Sequence, residues 1–306
     1  MSSDGLEALP WRGPGPGRPE QLALPPRKLA MRRNGVWRKR WRYAAVLAEE
    51  AFVCAARVQV GPIGQTFWLV CERGEGGTLE RTRLRPPGAR GEVWSEALDR
   101  DGLRDHAPDS GALVRIEGHH SEAGQVRAFL RFHGGTWAES ICPAEPENYV
   151  WTRKRAAERV EADVRIGERR LRFEGRGVED ESEGYHPHHT VWSWSAGVGR
   201  TRDGRAVGWN LVQGVNDPPR GSERAIWVGG EVSEPGPVEF DGLAAIRFAD
   251  GARLEFSSEC ERRRSESKLG VSYEYVQPMG SFSGTLPGGL ELAEGLGVME
   301  YQDARW

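Results

Sequence analysis

Apolar and polar residues alternate along most of this chain, most sharply between Asp180 and Glu223. Thr190, Trp192, Trp194 and Ala196 share one parity, and His189, Val191, Ser193 and Ser195 share the other. In an extended strand these two sets point to opposite faces. A second alternating stretch sets Val207, Trp209, Leu211 and Gln213 against Gly208, Asn210, Val212 and Gly214. Asp203-Gly204 lies between the two, a dipeptide suited to the positive φ of a tight hairpin turn. Residues 190–200 and 205–215 are therefore expected to pair as antiparallel strands.

The same reading predicts strands over residues 43–49, 51–60, 66–72, 78–84, 113–118 and 125–133, punctuated by Gly, Pro and Asp. A second series covers 160–166, 169–175, the hairpin, 223–228, 232–240, 244–248, 253–258, 271–286 and 290–301. One stretch, 144–157, offers a modest helix. Many short strands without a βαβ rhythm imply an all-β protein, a sandwich or barrel. The two series suggest two β-barrel-like halves, 27–150 and 151–306, behind a Pro/Gly-rich arm over 1–26. The arm has little to bury and is expected to be loosely held.

Composition narrows the class. With 28% charged residues and no apolar run near the roughly 20 residues of a spanning helix, a membrane span is not expected. Met1-Ser2-Ser3-Asp4-Gly5 lacks the basic and apolar regions of a secretory signal, so the expected location is the cytoplasm. Cys54, Cys71, Cys142 and Cys260 have no C-x-x-C spacing and read as free buried thiols. Residues 27–42 carry eight basic side chains interleaved with Trp37 and Trp41. That composition suits either a nucleic-acid patch or a packing segment with solvated guanidinium groups. A net charge of -3 gives no general reason to expect nucleic acid as a partner. Nothing in the sequence sets an oligomeric state.

The run Gly184-Tyr185-His186-Pro187-His188-His189-Thr190-Val191-Trp192-Ser193-Trp194, with Trp209-Asn210-Leu211-Val212-Gln213-Gly214 and Ser222-Glu223-Arg224-Ala225-Ile226-Trp227, resembles the bacterial family called domain of unknown function 2804. Gly295-Leu296-Gly297-Val298-Met299-Glu300 and the terminal Trp306 add to the likeness. That family is distantly similar to carotenoid hydratases and tocopherol cyclases. The resemblance implies two tandem lipocalin-like (calycin) antiparallel barrels and acid-catalysed chemistry on isoprenoid double bonds. It also implies that His189 and Trp192, with Asp217, occupy places associated with activity in the hydratases.

Several residues are candidates on their own chemistry. Trp192, Trp194, Trp209 and Trp227 are either core or the walls of a ligand cavity whose indole faces stabilise positive charge. Asn210 and Gln213 fall on neighbouring strands, where amides inside a barrel need partners. Glu223 and Asp180 are carboxyls that burial would keep protonated, as a general acid on an alkene requires. The ordinary alternative for each is a surface ion pair. His186, His188 and His189 invite a metal, but the acidic ligand of a cupin is missing and Pro187 interrupts the strand. No metal or cofactor is expected. There is no G-x-S-x-G elbow, and Gly74-Glu75-Gly76-Gly77 lacks the lysine of a phosphate-binding loop. The leading expectation is a protein that holds a hydrophobic small molecule, isoprenoid- or polyketide-like. It would hydrate, isomerise or cyclise that molecule with Glu223, Asp180 or Asp217 as acid and His189 as relay. A lipocalin-like carrier and an aromatic-lined carbohydrate binder are the rivals.

Overall fold

The computed structural model describes residues 5–13, 16–74, 77–85, 91–95, 113–268 and 271–306. In chain order the strands are β1 (Trp11–Arg12), β2 (Arg32–Arg33), β3 (Val36–Trp37), β4 (Lys39–Leu47), β5 (Ala51–Val60), β6 (Ile63–Glu72) and β7 (Gly77–Arg85). Next come β8 (Val93–Ser95), β9 (Leu113–His120), β10 (Gly124–His133), β11 (Ala138–Ala144), β12 (Asn148–Ile166) and β13 (Arg169–Gly184). The second half holds β14 (His189–Thr201), β15 (Ala206–Gln213), β16 (Ala225–Val228), β17 (Glu231–Ser233), β18 (Val238–Asp241) and β19 (Ala245–Phe248). It ends with β20 (Arg253–Lys268), β21 (Val271–Leu286) and β22 (Leu290–Arg305). Among the described residues the one helical element is a 3-10 turn at Leu6–Ala8.

Apart from the short β2-β3 hairpin, the strands form two curled antiparallel sheets of similar topology. The first runs β7-β6-β5-β4-β13-β12-β10-β9-β8, with β11 and β1 added along β12, and the second runs β17-β16-β15-β14-β22-β21-β20-β19-β18. In each, the opening strand pairs with the closing strand, so the order is an up-and-down meander wrapped back on itself. Each half keeps its own interior. Val46, Trp68, Ile116, Leu130, Phe132 and Val160 fill the first, and Trp209, Leu211, Phe248, Phe282 and Met299 fill the second. Between the halves lies a third apolar layer, which includes Tyr43, Phe52, Phe67, Trp194, Val212 and Met279. β4, β5 and β14 thus bury both faces, which is why residues 44–56 read as a nearly unbroken apolar run.

The structure departs from the sequence reading in three places. The modest helix over 144–157 is absent, and those residues form most of a hairpin from β11 into β12. The chain crosses between sheets at residues 184–189, because β12 and β13 complete the first sheet rather than open the second. The described residues of the expected arm, 5–13 and 16–26, are also not loosely held. Trp11 pairs with Ile141 in β11, and Leu22 and Leu24 are 2% and 1% exposed against Tyr149, Trp151 and Tyr185. Tyr149 Oη donates to Ala23 O at 2.7 Å, and Arg12 Nη1 donates to Ser222 O. Low average hydrophobicity hid a few well-placed leucines. Deleting residues 1–26 is therefore expected to lower stability by at least about 3 kcal/mol, at roughly 1.5–3 kcal/mol for each buried leucine. Urea unfolding of full-length and truncated protein measures this, and equal midpoints would mean the strap only rests on the surface.

The four cysteines are free and buried, as expected. The basic segment 27–42 also finds its place. Arg42, fully buried on β4, pairs with Glu179 and Glu181 of β13, and Arg38 lies 3.3 Å from Glu183. Those two guanidinium groups neutralise an acidic neighbouring strand, while Arg27 and Arg32 stay exposed.

Candidate functional site

A cavity of about 430 Å³ opens between the two halves. β4 to β7 form one wall, including Trp41, Tyr43, Val58 and Phe67, and β14, β15 and β20 to β22 form the other, including Trp192, Trp194, Val212, Tyr275 and Glu300. Trp41 and Trp192 come from opposite halves yet lie nearly parallel, 9° apart with ring centroids at 6.2 Å. Tyr43 meets Trp194 edge-on at 5.5 Å.

At one end of this apolar space, a cross-strand row brings Tyr43, Asp180 and Lys154 onto the face that looks toward the second half. Lys154 Nζ lies 2.5 Å from Asp180 Oδ1 and 3.3 Å from Glu223 Oε1. Trp41 Nε1 donates to Asp180 Oδ2 at 3.3 Å, and Asn216 Nδ2 donates to Glu223 Oε2 at 3.0 Å. Glu223 sits in the link between β15 and β16. It is fixed there because Asn210 Nδ2 donates to its carbonyl at 3.0 Å while Trp194 Nε1 donates to Asn210 Oδ1 at 2.8 Å. Burial raises the Glu223 carboxyl; Lys154 opposes this and Asp180 reinforces it. Burial works against the Lys154 ammonium, but Asp180 and Glu223 outweigh it and hold its pKa above the ordinary lysine value.

A further carboxyl faces the same space. Glu300 on β22 pairs with Trp194 across the sheet, and accepts from Trp192 Nε1 at 2.8 Å and Gln277 Nε2 at 2.7 Å. Burial and then the charge of Asp180 push it up to about 7, against the pull of Trp192, Tyr275 and Gln277. Gln277 Oε1 is buried with no partner. A neutral Glu300 can supply that missing donor once the amide turns over.

The candidates from sequence divide cleanly by position. Glu223, Asp180, Trp192 and Trp194 line the cavity, and Asn210 stands behind Glu223. Trp209 points the other way, into the second half, where it meets Phe282 edge-on at 5.0 Å and donates to Ser195 Oγ. Trp227 is buried and donates to Thr136 O at 2.8 Å, outside the cavity lining. Gln213 is exposed and accepts from Phe240 N. Asp217 caps its own turn by accepting from Gly214 N at 2.8 Å. His189 lies at the surface, 2.9 Å from Asp303. Its register with β22 runs without a break to Arg200, so no bulge turns it inward. The histidines diverge: His186 is buried against Trp41 at 4.7 Å, while His188 and His189 are exposed. Among the described residues no three His, Cys, Asp or Glu side chains converge as metal ligands.

Sequence reasoning missed Lys154, Trp41, Tyr275 and Glu300. Glu300 carried a usable signal, since it follows Leu296 and Val298 on the same parity of its strand. Lys154 carried none while its segment was read as helix.

Residues 20–306 match the family described as domain of unknown function (DUF2804). The chain belongs to that family. No curated protein matches the sequence. Among solved structures it is similar to kievitone hydratase from Nectria haematococca, with 10% identity, 88% of each chain covered and a TM-score of 0.50. It is also similar to CghA, with 10% identity, 88% of each chain covered and a TM-score of 0.40. At 10% identity the likeness to the hydratase is one of fold, a lipocalin-like pair of curled sheets, and it agrees with the all-β tandem architecture expected from the sequence. No helix among the described residues is long and apolar enough to cross a membrane.

Proposed function

We propose that this DUF2804 protein binds a hydrophobic small molecule between its halves and transfers a proton to a carbon–carbon double bond in it, as a hydratase, isomerase or cyclase that needs no metal. The observation that carries the reading is the pairing of a neutral-leaning acid, Glu300, with two indoles in one apolar cavity. Protonating an alkene needs an acid still protonated near neutrality, and burial gives Glu300 that property. The carbocation that forms needs negative π faces close by, and the stacked indoles of Trp41 and Trp192 line the same cavity as the acid.

The Lys154 cluster complements the acid. Asp180 and Glu223 hold the ammonium in place, and Glu223, itself raised, can accept the proton that an attacking water or a neighbouring carbon gives up. The name of the hydratase with a similar fold is consistent with this chemistry, though fold does not fix function. His189 and Asp217, the relay and one of the acids expected from the sequence, have no part in it, because neither lines the cavity.

Organic extraction of protein purified from its own host, followed by mass spectrometry, is expected to release an apolar compound in stoichiometric amount. Incubating purified protein with that compound in H₂¹⁸O or D₂O is expected to add label at carbon. Binding without label incorporation would leave a carrier. Failure to retain or bind any apolar compound would end the reading.

A further inference from the structure

One charge in the cavity wall has an unfilled hydrogen-bonding position. Arg262 on β20 is 1% exposed, with its guanidinium 3.8 Å from the ring centre of Phe67 and 5.2 Å from that of Tyr275. Nη2 donates to Thr82 Oγ1 at 2.8 Å, while Nε, 3.1 Å from Glu80 Oε2 but not hydrogen-bonded to it, and Nη1 have no hydrogen-bond partner. The Glu80 carboxylate is shared, since its Oε1 is 2.7 Å from Arg264 Nη2. One carboxylate therefore serves two guanidinium groups, and both of these line the cavity. Glu266 also lines it, but four residues along β20, about 13 Å from Arg262, where it faces Tyr273. Lys154, a second buried cation lining the cavity, already has Asp180 and Glu223.

A buried guanidinium N–H without an acceptor is costly, and its planar fork suits a carboxylate-like oxygen pair. We propose that Arg262 anchors an oxyanion on the ligand, so that the substrate class is an apolar molecule ending in a carboxylate or comparable oxyanion. This rests on the cavity function proposed above and narrows it. The anchor also sets where reaction occurs. Arg262 pairs with Gln277 across β20 and β21, and Gln277 holds Glu300 at 2.7 Å. The double bond presented to Glu300 therefore lies within a few bonds of the anionic head, while the apolar body extends toward Trp41 and Trp192.

Two fluorophores with the same apolar body separate the ideas: 8-anilinonaphthalene-1-sulfonate carries an oxyanion, and N-phenyl-1-naphthylamine does not. Both are expected to bind and to displace each other, with the sulfonate tighter by about 10- to 100-fold, the scale of a charge-assisted hydrogen bond. Arg262→Leu is expected to abolish that preference and leave the neutral probe within about twofold, with Arg262→Lys intermediate because it keeps charge but loses the fork. Circular dichroism reports whether Arg262→Leu folds; if it does not, the wild-type preference and its reduction in Arg262→Lys decide. Equal binding of the two probes by wild type, or equal weakening of both by the substitutions, overturns the anchor and leaves the cavity reading intact. Failure of both probes to bind wild type overturns the cavity reading itself.

Discussion

Replacing Lys154 with methionine is expected to lower the unfolding free energy by about 3–5 kcal/mol at pH 8, the usual cost of removing one partner from a buried ion pair. Asp180 and Glu223 then share a buried end of the cavity with no counter-charge within the distances now spanned by Nζ, 2.5 and 3.3 Å. The loss is expected to shrink at pH 5, because the Glu223 carboxyl, already raised by burial, escapes by taking up a proton. Adding Asp180→Asn and Glu223→Gln to Lys154→Met is expected to restore most of the stability, since neutral groups of the same shape no longer need the ammonium. Urea unfolding followed by tryptophan emission measures all of these. A loss under about 1 kcal/mol at pH 8, the value of an exposed pair, would mean that solvent reaches the cluster and that the cavity end is wet.

That cluster shows where the sequence was legible and where it was not. The hairpin of β14 and β15 could be read because alternation and Asp203-Gly204 agree, and strand, turn and register all follow from local residues. β12 could not. Its Arg153-Lys154-Arg155-Ala156-Ala157-Glu158 looks like a charged helix, yet every one of the three basic side chains is neutralised across the sheet by Glu181, Asp180 and Glu179 in turn. Burial on both faces erases the polar-out half of the pattern, and a bulge at Ala157, with φ at 67°, breaks what period remains. The pairing partner is a separate strand whose acidic run mirrors the basic one, a match visible only when two distant segments are laid side by side.

The cavity itself was half legible for the same reason. Alternation placed Trp192 and Trp194 on one face, and they do share the cavity. Trp209 has the same local appearance but faces the second half's interior, because it pairs with Gly197 on the opposite parity. Which face of a doubly buried strand meets a ligand depends on how the two halves dock, and no local pattern records that. The opposite wall, Trp41 and Tyr43, came from a segment whose arginines drew attention away from its indole.

Glu300→Gln is expected to leave the fold intact, to slow turnover by about two to four orders of magnitude, the range for losing a general acid, and to change the pH dependence of stability in a defined direction. In the wild type the Glu300 carboxyl titrates near 7 in the fold, against an ordinary value of 4.5. The folded state thus binds the proton more tightly than the unfolded chain. The advantage from this group is whole below about 4.5 and is lost as pH climbs through about 7, a slope set by the extra proton held by the native state. Glutamine mimics the neutral acid at every pH. The variant is therefore expected to unfold at nearly the wild-type urea midpoint at pH 4.5 and to pull ahead as pH rises, by up to about 3 kcal/mol above pH 7.5 if the shift is expressed in full. Wild-type turnover should fall over the same interval, because only the protonated acid can give a proton to carbon. Loss of turnover without the widening gap in stability would assign Glu300 a packing role, leaving Glu223 as the acid. A widening gap with turnover preserved would place the acid there as well, and would leave Glu300 as the group that keeps this wall of the cavity uncharged.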